Sequence, residues 1–83
     1  MSMQDRFDDA VKRSRQLPNQ SNENLLEIYA LFKQATKGDA SGSRPGMFDM
    51  KGRAKFDAWA KKKGMSEGDA MEAYIALIDR LGN

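Results

Sequence analysis

The chain has 83 residues, which allow one hydrophobic core and exclude a second domain of ordinary size. It contains no cysteine and no histidine, which excludes disulfides, thiol nucleophiles and imidazole chemistry. The net charge of +2 is weak evidence for a polyanionic partner. The N-terminal residues lack signal-peptide features, no stretch approaches the roughly 20 apolar residues that span a bilayer, and the lack of cysteine suits a reducing compartment, so we expect a soluble, cytoplasmic protein.

The first half of the chain predicts two helices, because apolar residues recur at steps of three and four and never alternate with period two. The first helix is predicted from about Met3 to Gln16, with a Ser2-x-x-Asp5 capping pattern at its start. The second is predicted from about Asn22 to Lys37, and it stops at Gly38, which suits a left-handed position after a helix. The predicted inner faces are Phe7, Ala10, Val11, Ser14 and Leu17 in the first helix and Leu25, Ile28, Tyr29, Phe32 and Ala35 in the second.

The second half predicts two more helices after an unusually long connection. Residues 38–50 contain three glycines and a proline, which indicates a loop that is functional or packed on itself. Helix three is predicted from about Lys51 to Lys63 and ends at Gly64. Helix four is predicted to begin at a capping pattern that starts at Ser66, and to stop before Gly82. The predicted inner faces are Ala54, Ala58 and Trp59 in helix three and Ala70, Ala73, Tyr74, Leu77, Ile78 and Leu81 in helix four. We therefore predict an all-α fold, a four-helix bundle that forms a single domain over residues 1–83.

The side chains that catalysis requires are mostly missing. Without histidine or cysteine, only carboxylates, lysines and serines remain, and these lie mainly at helix starts, on polar faces or in loops. We expect no enzymatic activity, no metal site and no cofactor.

Basic residues are concentrated in the middle of the chain, where residues 33–63 contain nine lysines and arginines against three aspartates. Helical spacing places Tyr29 and Lys33 on one face, and Lys51 and Lys55 on another, where an anion would relieve their repulsion. Spacing alone leaves two interpretations open, a phosphate-binding site and a solubilising face whose lysine stems cover apolar surface.

Three motifs change this balance. They are YALFKQAT at residues 29–36, RPGM at residues 44–47 and KGRAKFDAW at residues 51–59, followed by DAM at 69–71 and AYI at 73–75. In this order and spacing they resemble the acyl-CoA-binding protein family over nearly the whole chain. The resemblance implies an up-down-down-up bundle that binds medium- and long-chain acyl-CoA esters without transforming them, as an intracellular carrier and pool former in lipid metabolism.

The resemblance also implies roles for individual residues. Tyr29 would stack near the adenine and touch a nucleotide phosphate, and Lys33 and Lys55 would pair with the ribose 3′-phosphate. Tyr74 would face the thioester and pantetheine. Further implied contacts are Arg15, Ala30, Leu31, Phe32 and Lys51, with Ala10, Leu25 and Leu26 as candidates for contact with the acyl chain.

The chain departs from the family pattern in three places. Phe32 stands where many relatives have tyrosine, so a hydroxyl contact would be lost while ring stacking is kept. Phe56 replaces a frequent tryptophan, and the stretch from Leu17 to Leu25 is about one residue shorter, which affects the alignment of Arg15.

A helical chain with a basic middle segment has two other possible classes of function. The small net charge and the lack of a basic recognition helix argue against a nucleic-acid partner. The alternative is a helical protein-interaction module without a lipid ligand, which would use the loop at residues 38–50 or an exposed apolar groove. We expect a monomer, because no apolar stripe is left over, with acyl-CoA-using enzymes as a further partner class and no stable membrane insertion.

Overall fold

The computed structural model describes residues 1–82. They form four helices, α1 (Met3–Ser14), α2 (Asn22–Lys37), α3 (Met50–Ala60) and α4 (Glu67–Leu81), and no strand occurs within that range. The all-α fold predicted from the periodicity is confirmed, and α2 has the predicted bounds.

Every helix starts at a side chain that caps free backbone N–H groups. At α1 the Asp5 amide donates to Ser2 Oγ at 3.1 Å and the Ser2 amide donates to the Asp5 carboxylate at 3.3 Å, which confirms the predicted capping box. At α4 the Asp69 amide donates to Ser66 Oγ at 3.1 Å. The corresponding caps of α2 and α3 are Ser21 and Asp49. These caps explain why the predicted starts lie within a residue or two of those observed.

Two helix ends differ from the prediction. Helix α1 ends at Ser14 instead of Gln16, and α3 ends at Ala60 instead of Lys63. Just after each of these helices, backbone amides donate to carbonyls three residues earlier, as Lys63 N does to Ala60 O at 3.2 Å. This is the hydrogen-bond pattern of a 3₁₀ turn, which is tighter than an α-helical turn. Gly38 has the expected positive φ of 80°, but its ψ of −151° is extended, which turns the chain away from the axis of α2.

Contacts between the helices give their directions. Phe7 packs against Tyr74, with 5.0 Å between ring centroids, and Arg13 bonds to Asp79 at 2.7 Å, so α1 and α4 are parallel. Helix α4 also packs against α2 and runs opposite to it, and α2 packs beside α3 in the same direction. This is the predicted up-down-down-up bundle.

The long connection follows from that topology. Because α2 and α3 are parallel, residues 38–49 must return along α2, whose 16 residues span about 24 Å. Two contacts attach this return segment to α3. Arg44 forms a bidentate pair with the Asp57 carboxylate, at 2.9 and 2.6 Å, and the Trp59 indole donates to the Gly38 carbonyl at 2.7 Å.

The core lies mainly between α4 and its two neighbours. Its buried members are Phe7, Ala10, Leu31, Ala35, Ala70, Tyr74, Ile75, Leu77 and Ile78. The predicted inner face of α4 is largely confirmed, although Ile75 was missed. The predicted inner face of α2 is wrong at Leu25, which is 52% exposed, whereas Ala30, Leu31 and Gln34 are buried. Helix α2 packs against α3 as well as α4, so no single stripe describes its buried surface.

A buried amide joins three segments at the far end of α2. Gln34 is fully buried, and its Nε2 donates to Asp39 Oδ1 and to the Met65 carbonyl, both at 2.8 Å. The same Asp39 oxygen accepts the Gly64 amide at 2.9 Å, and these two hydrogen bonds hold the pKa of Asp39 below its ordinary value. Within residues 1–82 the Gln34 Oε1 atom has no hydrogen-bond partner. The cluster fixes the start of the return segment against the connection between α3 and α4.

Candidate functional site

Two lysine–aromatic contacts lie one helical turn apart on the surface formed by α2 and α3. Lys55 Nζ lies 5.3 Å from the centroid of the Tyr29 ring, and Lys33 Nζ lies 4.9 Å from the Trp59 ring. Both distances are within the range of cation–π attraction. Residues 29 and 33 are one turn apart on α2, as are 55 and 59 on α3, so the parallel helices stack the contacts one turn above the other.

An open groove continues from these contacts toward the N-terminal ends of α2 and α3. It has a volume of about 390 Å³ and is lined by Asn22, Leu25, Leu26, Met50, Lys51, Ala54 and Lys55. Its walls are mostly apolar, with two lysines along the α3 side. The groove therefore offers an apolar surface next to a cationic one, as an amphipathic ligand requires.

The lysines of this face form no salt bridge within the part of the chain that the structure describes. The four salt bridges within residues 1–82 are Arg13–Asp9, Arg13–Asp79, Arg44–Asp57 and Lys62–Glu27. None of them involves Lys33, Lys51 or Lys55. These three ammonium groups, held over rings or along a groove, can donate charge-assisted hydrogen bonds to an anion without breaking an internal salt bridge.

A second pair of predicted residues lies on α1 and α4. Tyr74 is 2% exposed, with its ring in the core against Phe7 and Phe32. Burial raises the pKa of the Tyr74 phenol, and the neighbouring Ser14 and Arg15 lower it in part. Arg15 is exposed just after the end of α1. The structure thus brings Arg15 and Tyr74 near each other, apart from the lysine–aromatic contacts.

A smaller cleft shares Leu25 with the groove and reaches Ser14 at the end of α1. It has a volume of about 300 Å³ and is lined by Ser14, Leu17, Pro18, Asn19, Gln20, Leu25 and Ile28. Leu25 also lines the groove between α2 and α3, and Ser14 neighbours the Tyr74 phenol. Together the groove and the cleft extend from α3 across α2 to α1.

Three predicted contact residues are less accessible. Ala30 and Leu31 are buried on the core side of α2, which leaves their side chains little surface for a ligand. Phe32 is half-buried, with its ring centroid 6.1 Å from that of Phe7. None of these three residues is among those that line the groove.

Four residues of this face were not among the predicted site residues, namely Asn22, Met50, Ala54 and Trp59. Trp59 was assigned to the core, and it is buried, yet Lys33 lies over its ring. Met50 was assigned to the loop, but it begins α3 and lines the groove. The spacing of Met50 and Ala54, four apart like Lys51 and Lys55, was the available signal for a groove wall.

Other parts of the molecule show fewer features of a binding site. A cleft of about 470 Å³ between α1 and α4 is lined by Arg13, Gln16, Leu17, Pro18, Ile78, Asp79 and Gly82, and contains none of the predicted site residues. Across residues 1–82 no three acidic side chains are grouped so that they could hold a metal ion. In the same range, none of the helices has the length and apolarity to cross a bilayer.

The fold and this face define a small helical ligand-binding protein whose open groove combines basic, aromatic and apolar side chains. The sequence model described as "Acyl CoA binding protein" matches residues 4–78, nearly the whole chain. The chain belongs to the acyl-CoA-binding protein family.

Individual relatives agree with this assignment. The acyl-CoA-binding protein homolog of Manduca sexta is 54% identical over 83 residues, covering 98% of this chain and 92% of the relative. The acyl-CoA-binding protein of Saccharomyces cerevisiae is 49% identical over 76 residues, covering 90% of this chain and 87% of the relative. The crystal structure of Oryza sativa acyl-CoA-binding protein 2 superposes with a TM-score of 0.94 at 40% identity, covering 96% of this chain and 90% of that one.

Proposed function

We propose that this chain binds medium- and long-chain acyl-CoA esters and carries them without chemical change, as an intracellular carrier and pool former. The supporting observation is the α2–α3 face, where lysines held over aromatic rings adjoin an apolar groove in a member of this family. A polyanionic nucleotide with an apolar tail requires both surfaces on one ligand-binding face.

The nucleotide head would bind at the lysine–aromatic contacts. Lys33 and Lys55 would receive the ribose 3′-phosphate, and the Tyr29 ring between them would stack near the adenine. A charge-assisted hydrogen bond to each lysine contributes about 1.5–3 kcal/mol. Lys51, one turn before Lys55 and on the groove wall, would contact the ligand farther along.

The acyl tail would lie in the groove beside Leu25, Leu26, Met50 and Ala54. Each methylene removed from water adds about 0.8 kcal/mol before ordering costs. The bound tail would cover exposed apolar residues such as Leu25, which accounts for their position at the surface.

The pantetheine and thioester would lie toward α1 and α4. The cleft that includes Ser14 and Leu25 leads from the groove to the Tyr74 phenol and Arg15. The Tyr74 ring stays in the core in this arrangement, and only its hydroxyl end would approach the ligand. Ala30, Leu31 and Phe32 would support the nucleotide side from below.

We further propose that the chain acts as a single-domain monomer in the cytoplasm, with no enzymatic activity and no cofactor. Binding and release alone would serve enzymes that use acyl-CoA. The absence of histidine and cysteine supports a carrier over a catalyst, since the commonest general base and thiol nucleophile are missing.

Titration calorimetry with palmitoyl-CoA, coenzyme A and free palmitate tests the proposal. We expect tight binding of the ester and much weaker binding of either half, because head and tail contribute through separate surfaces. Equal, weak responses to all three ligands would contradict a carrier function and favour an interaction module.

A further inference from the structure

An exposed apolar turn lies at the end of the return segment, just before α3. The Asp49 amide donates to the Gly46 carbonyl at 3.0 Å, which places Met47 and Phe48 at the two central positions of a tight turn. Phe48 is 97% exposed and Met47 is 73% exposed. Two adjacent large apolar side chains at a loop apex are an uncommon arrangement on a protein surface.

This turn lies outside the ligand groove. The residues that line the groove include Met50 but neither Met47 nor Phe48. A ligand seated in the groove would therefore leave the apex uncovered. With the groove occupied, these two apolar side chains would still be available to another partner.

The charge around the turn is positive. The first two turns of α3 carry Lys51, Arg53 and Lys55, whereas the nearest acid, Asp49, accepts the Gly52 amide at 3.0 Å as the helix cap. Glu23 at the start of α2 lines a different cleft, with Lys61 and Lys62. An apolar apex beside basic side chains is complementary to an anionic lipid surface, which provides apolar acyl boundaries below negative headgroups.

The turn is also anchored on both sides. Arg44, three residues before Met47, forms its bidentate pair with Asp57 of α3, and Asp49 caps the same helix. The apex is therefore presented by α3, and ordering it at a surface costs less than ordering a loose loop.

We infer that the Met47–Phe48 turn is a lipid-contact site, which inserts these two side chains among the headgroups of an anionic membrane while the basic start of α3 faces the negative lipids. The contact is peripheral and reversible, because two side chains and a few charges give weak membrane affinity.

Vesicle co-sedimentation of the full chain tests this inference. With vesicles of phosphatidylcholine containing roughly 30 mol % phosphatidylserine, the wild type should bind at least about tenfold more strongly than with phosphatidylcholine alone, and about 0.5 M salt should reduce the binding. The double variant Met47→Gln, Phe48→Gln should bind anionic vesicles roughly tenfold more weakly. Ala76→Gln, at an exposed position on α4, is the matched control and should bind like wild type.

The variant Phe48→Trp measures how deeply the turn inserts into the membrane, by tryptophan fluorescence. The wild type has a single tryptophan, Trp59, which is buried near the opposite end of α3 and should give little quenching signal of its own. Brominated lipids should quench the variant and leave the wild type almost unchanged. The double variant should keep its affinity for octanoyl-CoA in solution, which separates this inference from the proposed function. Absence of wild-type vesicle binding, equal binding by the double variant, or a matching loss of octanoyl-CoA affinity would overturn the inference, and the first outcome would favour a protein partner.

Discussion

The ammonium group of Lys55 lies over the Tyr29 ring and takes no part in the four salt bridges of residues 1–82. Such a lysine adds little to folding, since the attraction at an exposed ring is small. Its removal should therefore affect ligand binding far more than stability.

Lys55→Ala should weaken acyl-CoA binding roughly 10- to 100-fold, because one charge-assisted bond of about 1.5–3 kcal/mol is lost. Helix content should not change, since alanine favours helices. Calorimetry and circular dichroism check the two expectations. Lys61→Ala, at an exposed position just after α3 and outside the groove, should retain wild-type affinity.

The same position tests the 3′-phosphate assignment. The wild type should discriminate against acyl-dephospho-CoA, which lacks this phosphate, and Lys55→Ala should discriminate much less, because both deletions remove one interaction. Lys33→Ala should show the same coupling. Effects that simply add would contradict the phosphate site while leaving the carrier function intact.

At the scale of elements, Asp39 connects the end of α2 to the segment between α3 and α4. Its pKa is lowered first by the Gly64 amide and then by Gln34. The folded state therefore favours the ionised carboxylate, and the stabilisation is present above the ordinary pKa of about 3.9. It is lost as the pH falls through that value toward the lower pKa of the folded protein.

Asp39→Asn should accordingly flatten the dependence of the unfolding free energy on pH below about 5. Urea denaturation at several pH values measures this slope. Part of the slope should remain, because Arg44 lowers the pKa of Asp57 in the same direction. The double variant with Asp57→Asn should be flatter than either single variant, and an unchanged slope in Asp39→Asn would rule out a role for this hydrogen-bond cluster.

The return segment depends on its attachment to α3 through Arg44 and Asp57. Both side chains are exposed, so their pair should contribute little to overall stability but should limit local opening. Arg44→Gln should increase hydrogen exchange at residues 40–49 while exchange in α4 stays the same. Arg53→Gln, at a neighbouring arginine of α3, is the control. Equal exchange in all three proteins would show that the Arg44–Asp57 pair does not limit local opening of the segment.

At the scale of the whole molecule, the groove sets a limit to the length of acyl chain that the protein can shelter. Affinity should rise with chain length, by up to about 0.8 kcal/mol per methylene, and level off where the groove and adjoining cleft end. A calorimetric series from acetyl-CoA to stearoyl-CoA measures the plateau. Equal dissociation constants for acetyl-CoA and palmitoyl-CoA would exclude the groove as the site of the tail.

Local interactions were sufficient to predict most of the fold. Ser2 and Ser66 cap their helices through amides only three residues away, and the apolar spacing of Tyr74, Leu77 and Ile78 marks the buried face of α4. Information of this kind lies within one or two helical turns, so it can be read from a sequence. The motifs from Tyr29 to Trp59 likewise resembled those of the family to which the chain belongs.

Pairings between helices required the tertiary structure. No local rule joins Lys55 to Tyr29 or Lys33 to Trp59, since these contacts exist only because α3 packs against α2 and runs in the same direction. The direction of α3 depends on how residues 38–49 return along α2, and many loop paths satisfy the same sequence pattern. The tertiary structure also determines which residues of α2 are buried. Because α2 packs against both α3 and α4, its buried surface does not follow one stripe, and Leu25 is left exposed.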